Sequence, residues 1–205
     1  EIVYIPGNHV RPIRRFCGLV LPAMQVRRRA IHVTADGRRL LVFTNTARVW
    51  RQNTKGDYWV LDRGTGKLRQ LGGKDAKPST LMFAKFSPQG DRVAYVREHD
   101  IYVETVKDGK IRRLTKDGSR TTINGTFDWV YEEEFNLRDG FRWSPDGKAI
   151  AYWQLDATGV RDFLLINDTD SLYSFTVPVQ YPKAGTTNSA VRIGEYKFMV
   201  SSISD

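Results

Sequence analysis

Three segments of the chain share one alternation of apolar and polar positions: IHVTADGRRLLVF (31–43), AKFSPQGDRVAYV (84–96) and FRWSPDGKAIAYW (141–153). Each reads as a strand of period two, a turn ending in glycine, and a second apolar strand. The turn glycines Gly37, Gly90 and Gly147 stand 53 and 57 residues apart, a spacing that marks a repeat protein. In the S-P-x-G turns, proline at the second position presets φ and glycine at the fourth accepts a positive φ, so the chain reverses tightly. After the first two hairpins a further strand pair can be read, in DYWVLDRGTGKLRQL (57–71) and DIYVETVKDGKIRRLT (100–115). Four short antiparallel strands per unit, recurring at this period, predict β-propeller blades, whose apolar faces are buried only by neighbouring blades.

A closed propeller takes about four to eight blades, whereas 205 residues hold only three to four units of this length. The prediction is therefore an all-β chain forming an incomplete propeller: a sector over residues 30–205, preceded by a segment, 1–29, that fits no blade or at most part of one. The blades at its ends are expected to expose apolar faces and edges, which favours self-association. The stretch VPVQYP is read as a linking segment ahead of a strand at AVRIGEYKFMV (190–200).

Between the second and third repeats, TTINGTFDWVYEEEFNLRDG (121–140) breaks the alternation. Asp128 is placed to cap a short helix over 129–135, which sets Glu132, Glu133 and Glu134 in its first two turns, where the helix dipole favours negative charge. Successive helical side chains diverge by about 100°. Three in a row cannot face one point, but two neighbours can converge on a ligand while the third points elsewhere. Crowded carboxylates raise one another's pKa unless a cation lies between them. A primary ammonium, with three donors and one charge, satisfies such a pair. The oxygen-rich alternation of a calcium loop is missing, so an organic cation is the preferred guest. Phe127, Trp129, Val130, Tyr131 and Phe135 are expected to pin the turn to the propeller body, against the alternative of a solvated acidic turn.

With 40% hydrophobic, 27% charged and 12% aromatic residues, the composition is that of an ordinary globular protein. No apolar run approaches the roughly 18 residues that span a bilayer, which predicts a soluble segment without membrane contact. The chain starts at Glu1 without a charged-then-apolar leader, so any export signal is expected to be removed or to lie elsewhere. Cys17 is the only cysteine, which leaves no internal disulfide or thiolate cluster and makes a structural thiol the expectation. His9, His32 and His99 lie far apart, so neither a metal site nor another cofactor is predicted. Of the net charge of +9, residues 1–50 carry +7, with nine arginines, including Arg27-Arg28-Arg29, against Glu1 and Asp36. Such a start could suit nucleic acid. No aromatic stacking ladder or recognition helix accompanies it, so a solvated basic face is expected instead.

DWVYEEEF (128–135), followed by GFRWSPDGKAIAYWQLD (140–156) and VPVQYPKAG (177–185), resembles the N-terminal propeller domain of the dipeptidyl peptidase IV family of prolyl oligopeptidase-type serine peptidases. Upstream, RVWRQNTKGDYWVLD (48–62) resembles the same family's W-R segment ahead of a Y-x-(I/V)-x-D strand, and the segments are collinear from about residue 30 to 205. The resemblance implies a parent protein that removes dipeptides from peptide N-termini, after proline or alanine, using a serine, an aspartate and a histidine in a separate α/β-hydrolase domain. It implies that Glu133 and Glu134 grip the substrate's protonated α-amine and that Arg51 reaches the carbonyl oxygen of the second residue before the cut. Glu132 is then structural. The partners so implied are a peptide with a free N-terminus and the hydrolase domain. An exported, periplasmic or membrane-tethered parent follows from the family, and the single cysteine suits a bacterial source. No G-x-S-x-G nucleophile elbow occurs, and Ser87 and Ser144 serve turns, so the chain alone is expected to hydrolyse nothing. The alternative is a non-catalytic interaction platform or an inactive relative.

Overall fold

The computed structural model describes residues 2–4 and 30–198. The expectations placed on Cys17, His9, Arg27-Arg28-Arg29 and the end of the last strand concern residues outside that range. The first blade is an antiparallel meander of β2 (Ala30–Val33), β3 (Arg39–Ala47), β4 (Lys55–Asp62) and β5 (Leu68–Gln70). The second repeats it with β6 (Leu81–Phe86), β7 (Arg92–Arg97), β8 (Asp100–Thr105) and β9 (Ile111–Arg113). A strand β1, Ile2–Tyr4, adds antiparallel to β2, so a short part of the unplaced N-terminal segment does join the first blade.

The three predicted turns share one local chemistry. The amides of Gly37, Gly90 and Gly147 donate to the carbonyls of Thr34, Ser87 and Ser144 at 2.8 to 2.9 Å. Each glycine has φ between 66° and 71°, the left-handed region a Cβ disfavours. The hydroxyl of the first turn residue accepts the amide two residues past the glycine, at Arg39, Arg92 and Ala149 respectively. Two of these positions also tie blade to blade: Arg39 donates to the Gly90 carbonyl at 3.1 Å, and Arg92 to that of Gly147 at 2.8 Å.

The core lies between blades. Val93 and Tyr95 of β7 face the first blade and pack with Leu41, Phe43, Tyr58 and Leu81. Their neighbours Ala94 and Val96 face the third and pack with Ile101, Phe141 and Ile150. A strand buried on both faces loses the apolar–polar alternation, which is why RVAYV reads as a continuous apolar run. A buried ion pair fastens the first two blades: Arg69 of β5 donates to Glu104 of β8, whose side chain is 1% exposed.

The third blade departs from the repeat. Its innermost strand is split into β10 (Thr122–Asn124) and β11 (Phe141–Trp143), both paired with β12 (Ala149–Asp156). The chain then leaves as a separate two-stranded hairpin, β13 (Asp162–Asn167) and β14 (Phe175–Gln180), before β15 (Ala190–Lys197) returns to pair with β12. VPVQYP therefore does not simply link, because most of it is the second strand of this hairpin. Pro178 is tolerated there because each strand of a two-stranded ribbon keeps a free edge where no amide hydrogen is needed. Exposed apolar side chains concentrate on the hairpin, including Leu164, Ile166, Leu172 and Tyr173, rather than being confined to blade edges such as Ile193 of β15. Among the described residues no helix is long and apolar enough to cross a membrane.

Candidate functional site

The interruption of the third blade is the segment with the acidic run. Its two ends are pinched together where the split strand would continue opposite Trp153. Gly125 donates to the Trp153 carbonyl, Trp153 to Gly140, and Gly140 to Gly125, at 2.9 to 3.0 Å. A Cβ on Gly140 would lie 2.9 Å from the Gly125 backbone, so the closure requires glycine. Within it stands the helix α1 (Trp129–Phe135). Asp128 is its N-cap, with the carboxylate accepting the Tyr131 amide at 3.1 Å, as the sequence predicts. The other Asp128 oxygen receives the Ser189 hydroxyl at 2.6 Å, fixing the cap to the segment just before β15. Asn136, at φ 58°, ends the helix in a left-handed turn.

The aromatic flank holds the helix on one side only. Phe127 is buried and packs with Ile123 and Leu155, with Tyr131 against it, while Trp129 packs on Tyr181 with ring centroids 4.5 Å apart. Phe135 is 63% exposed and does not pin the turn; its ring meets that of Tyr131, at the residue where the helix ends.

The three glutamates have different surroundings. Glu132 points inward with a side chain 5% exposed, and Arg138 donates to it at 3.1 Å. Burial pushes its pKa up, Arg138 pulls it back, and crowding by Glu133 is the smallest cause, so desolvation outweighs the mutual repulsion. Glu133 is 10% exposed and accepts from Nε of Arg51, which is itself 77% exposed. Arg51 sits in the loop between β3 and β4, in the first blade, 82 residues from its partner. Glu134 is exposed, next along the helix. Among the described residues, neither Oε1 of Glu133 nor either oxygen of Glu134 has a protein hydrogen-bond partner. An outward-facing acidic surface and one guanidinium thus share one place, contributed by two blades with a third between them.

Three residues of this arrangement are not singled out by the sequence reading: Arg138, Asp139 and Lys85. Arg138 and Asp139 belong to the same non-alternating insertion as the glutamates. Lys85 is a lone charge between Ala84 and Phe86 in a strand that is otherwise apolar, which is the signal that could have found it. His32 and His99, by contrast, have pKa values lowered first by burial, and the Nδ1 of His32 accepts the Phe86 amide at 3.1 Å. An apolar cavity of about 490 Å³ lies on the far side of α1, between Trp129 and Phe163, Leu165, Val179 and Tyr181 of the hairpin region; none of the glutamates lines it. Among the described residues no three His, Cys, Asp or Glu side chains gather as metal ligands would.

Comparison with known proteins adds to this geometry. Residues 34–204 match the model of the dipeptidyl peptidase IV (DPP IV) N-terminal region. The chain is 34% identical to dipeptidyl aminopeptidase B of Saccharomyces cerevisiae over 172 residues, which cover 82% of this chain and 20% of that protein. It is 33% identical to dipeptidyl peptidase 4 of Felis catus over 165 residues, 78% of this chain and 21% of the relative. Among solved structures, dipeptidyl peptidase 4 of Porphyromonas gingivalis superposes with a TM-score of 0.76 at 30% identity, covering 82% of this chain and 24% of that one. The chain thus spans about a fifth to a quarter of the length of these relatives.

Proposed function

Since this chain belongs to the dipeptidyl peptidase IV family, of which it carries the N-terminal region, we propose that it is the substrate-selecting propeller part of a serine exopeptidase that releases N-terminal dipeptides. The observation that carries the reading is the meeting of Arg51 with Glu133 across two blades, beside Glu134. A carboxylate has more acceptor positions than one guanidinium uses. Glu133 can hold Arg51 with one oxygen and turn the other, together with Glu134, toward a substrate ammonium. In this reading Arg51 donates to the carbonyl oxygen of the second residue before the scissile bond.

Such a site acts as a ruler. Two residues of extended chain span about 7 Å, so an amine fixed at the propeller wall and a nucleophile on the hydrolase domain select the bond after residue two. The glutamates bind and do not react; they contribute by lowering the entropy cost of presenting that bond. The test uses the full-length protein and one peptide in two forms, with a free and with an acetylated N-terminus. The free form is expected to be cut after its second residue, and the acetylated form to have a kcat/KM lower by about a hundredfold, as loss of a charge-assisted contact of about 3 kcal/mol implies. Equal cleavage of both forms defeats the ruler.

The hairpin supports a second surface role. Leu164, Ile166, Leu172 and Tyr173 are 58 to 92% exposed, far above what scattered surface apolar residues explain. These exposures are of the chain on its own, and the rest of the parent or a second copy can cover the strip; a second copy is favoured because the hairpin pairs with no other strand among the described residues. Sedimentation of the full-length protein is expected to give an oligomer that Leu164→Glu with Ile166→Glu converts to monomer, with the fold retained; a wild-type monomer counts against it.

A further inference from the structure

Lys85 is a charged side chain in the innermost strand of the second blade, and its surroundings tie it to the acidic insertion of the third. Its ammonium donates to the Asp139 carboxylate and, at 3.0 Å, to the Phe141 carbonyl, and lies 3.6 Å from the centroid of the Phe141 ring. The Lys85 carbonyl in turn accepts the Trp143 indole at 3.4 Å. Both sides of Lys85 therefore grip the strand that leaves the insertion. The backbone is shaped for this: β6 has a bulge between Met82 and Lys85, and Phe83 within it is held at φ 54°. A bulky residue in the left-handed region is costly by about 1 to 3 kcal/mol, and bulges re-aim side chains beside sites.

Asp139 directly precedes Gly140 of the insertion's closure and is bridged to Thr126. It directly follows Arg138, which holds Glu132, the neighbour of Glu133. We propose that Lys85 is a positioning residue that, through Asp139, holds the insertion in the register in which Glu133 meets Arg51. This rests on the ruler reading above and adds to it a support that the glutamates do not share.

The same geometry gives the support a pH limit. Burial lowers the Lys85 pKa to about 8, Asp139 opposing that fall and Arg142 adding to it. The other titratable groups that face this cluster are His32 of β2, whose pKa burial lowers with Lys85 adding to the fall, and Tyr58 of β4, which burial pushes up with the Asp139 charge adding to the rise. Arg142 also pairs with Asp139 at 3.0 Å but is 66% exposed and leaves the interior side of the carboxylate to Lys85. Asp139 raises the Lys85 pKa against burial, so an opening of the insertion that takes Asp139 away while Lys85 stays against Phe141 of β11 lowers that pKa further. The open form then binds fewer protons, and such opening is favoured as pH rises through about 8.

In the full-length protein, Lys85→Met is expected to raise KM for a dipeptide substrate about tenfold while changing kcat less than threefold. The alkaline limb of log kcat/KM should become shallower by one proton, because one titrating group is gone. Lys85→Arg, which keeps charge without titrating, should restore KM near pH 7 and keep the shallower limb. Because either variant could fail to fold, the wild-type protein supplies a further measurement. Amide protection of 125–140 at exchange rates corrected for pH should fall about tenfold between pH 7 and 9.5, while protection in β7 does not. An unchanged alkaline slope in the variants, or flat protection of the insertion, overturns the role of Lys85. Glu133→Gln separates the two ideas: if it leaves cleavage unaltered the ruler itself fails, whereas a large loss there with no effect at Lys85 removes only the positioning role.

Discussion

Glu133→Gln in the full-length protein is expected to lower kcat/KM for dipeptide substrates by about thirtyfold or more without unfolding the propeller. The substitution keeps the shape and removes the charge. Glu133 is 10% exposed, so its interaction with a cation is screened less than that of a surface carboxylate. Losing one partner of a desolvated, hydrogen-bonded charge pair costs about 2 to 5 kcal/mol, and each 1.4 kcal/mol is about tenfold. The substitution also loosens Arg51, whose guanidinium keeps only a neutral amide oxygen as acceptor and, being 77% exposed, samples solvent more. Glu134→Gln is expected to cost less, about fivefold at most, since Glu134 is exposed and its charge is screened. Glu132→Gln should behave differently again. Its carboxylate faces Arg138 inside the turn, so the loss appears as reduced stability of the insertion rather than as a direct loss of amine binding. Ranking the three variants by kcat/KM and by thermal stability therefore separates binding from support. Equal effects of Glu132→Gln and Glu133→Gln on kcat/KM with no difference in stability contradict that division.

What the sequence discloses and what it conceals follow from the range of the forces involved. The three glycine turns and their hairpins are local: one hydroxyl, one positive φ and one amide set each of them within six residues. They are read from the chain directly, as is the Asp128 cap, which needs only the amide of Tyr131. The identity of the inward glutamate is not local. Glu132 is fixed by Arg138 and by the packing of Phe127 against Ile123 and Leu155, which come from two other strands. Period alone suggests a third blade like the first two, yet a closure of two glycines splits its inner strand and a hairpin leaves its outer side. Pro178 hides that hairpin, because a rule drawn from central strands does not bind a ribbon with two free edges. Lys85 stays hidden for a similar reason: an alternating strand allows one charged residue on its solvent face, and only the bulge at Phe83 turns that residue toward Asp139.

Replacing Arg69 by methionine is expected to destabilise the chain by about 3 to 5 kcal/mol, the cost of leaving a buried carboxylate without its cation. Glu104 has almost no access to water, and Arg69 supplies its only positive partner among the described residues. The carboxylate's other contacts, the Gly72 amide at 2.9 Å and the Tyr95 hydroxyl at 3.4 Å, are neutral donors and cannot balance a full charge. The second guanidinium nitrogen of Arg69 also donates to the Thr105 carbonyl at 3.2 Å, so the side chain clamps β8 at two points from β5. The interface it crosses is the one that places the Arg51 loop relative to the rest of the propeller. Arg69→Met should therefore lower the thermal midpoint of the full-length protein by roughly 10 °C and raise KM through a misplaced Arg51, with hydrogen exchange at Gly72 accelerated. The double variant Arg69→Met with Glu104→Gln removes the stranded charge and should recover part of the midpoint, since an uncharged amide still accepts the Gly72 amide. Arg69→Met alone leaving both midpoint and Gly72 exchange unchanged would mean that the carboxylate finds water, and the first two blades would then be held by Leu41, Leu81, Tyr95 and their neighbours without ionic help.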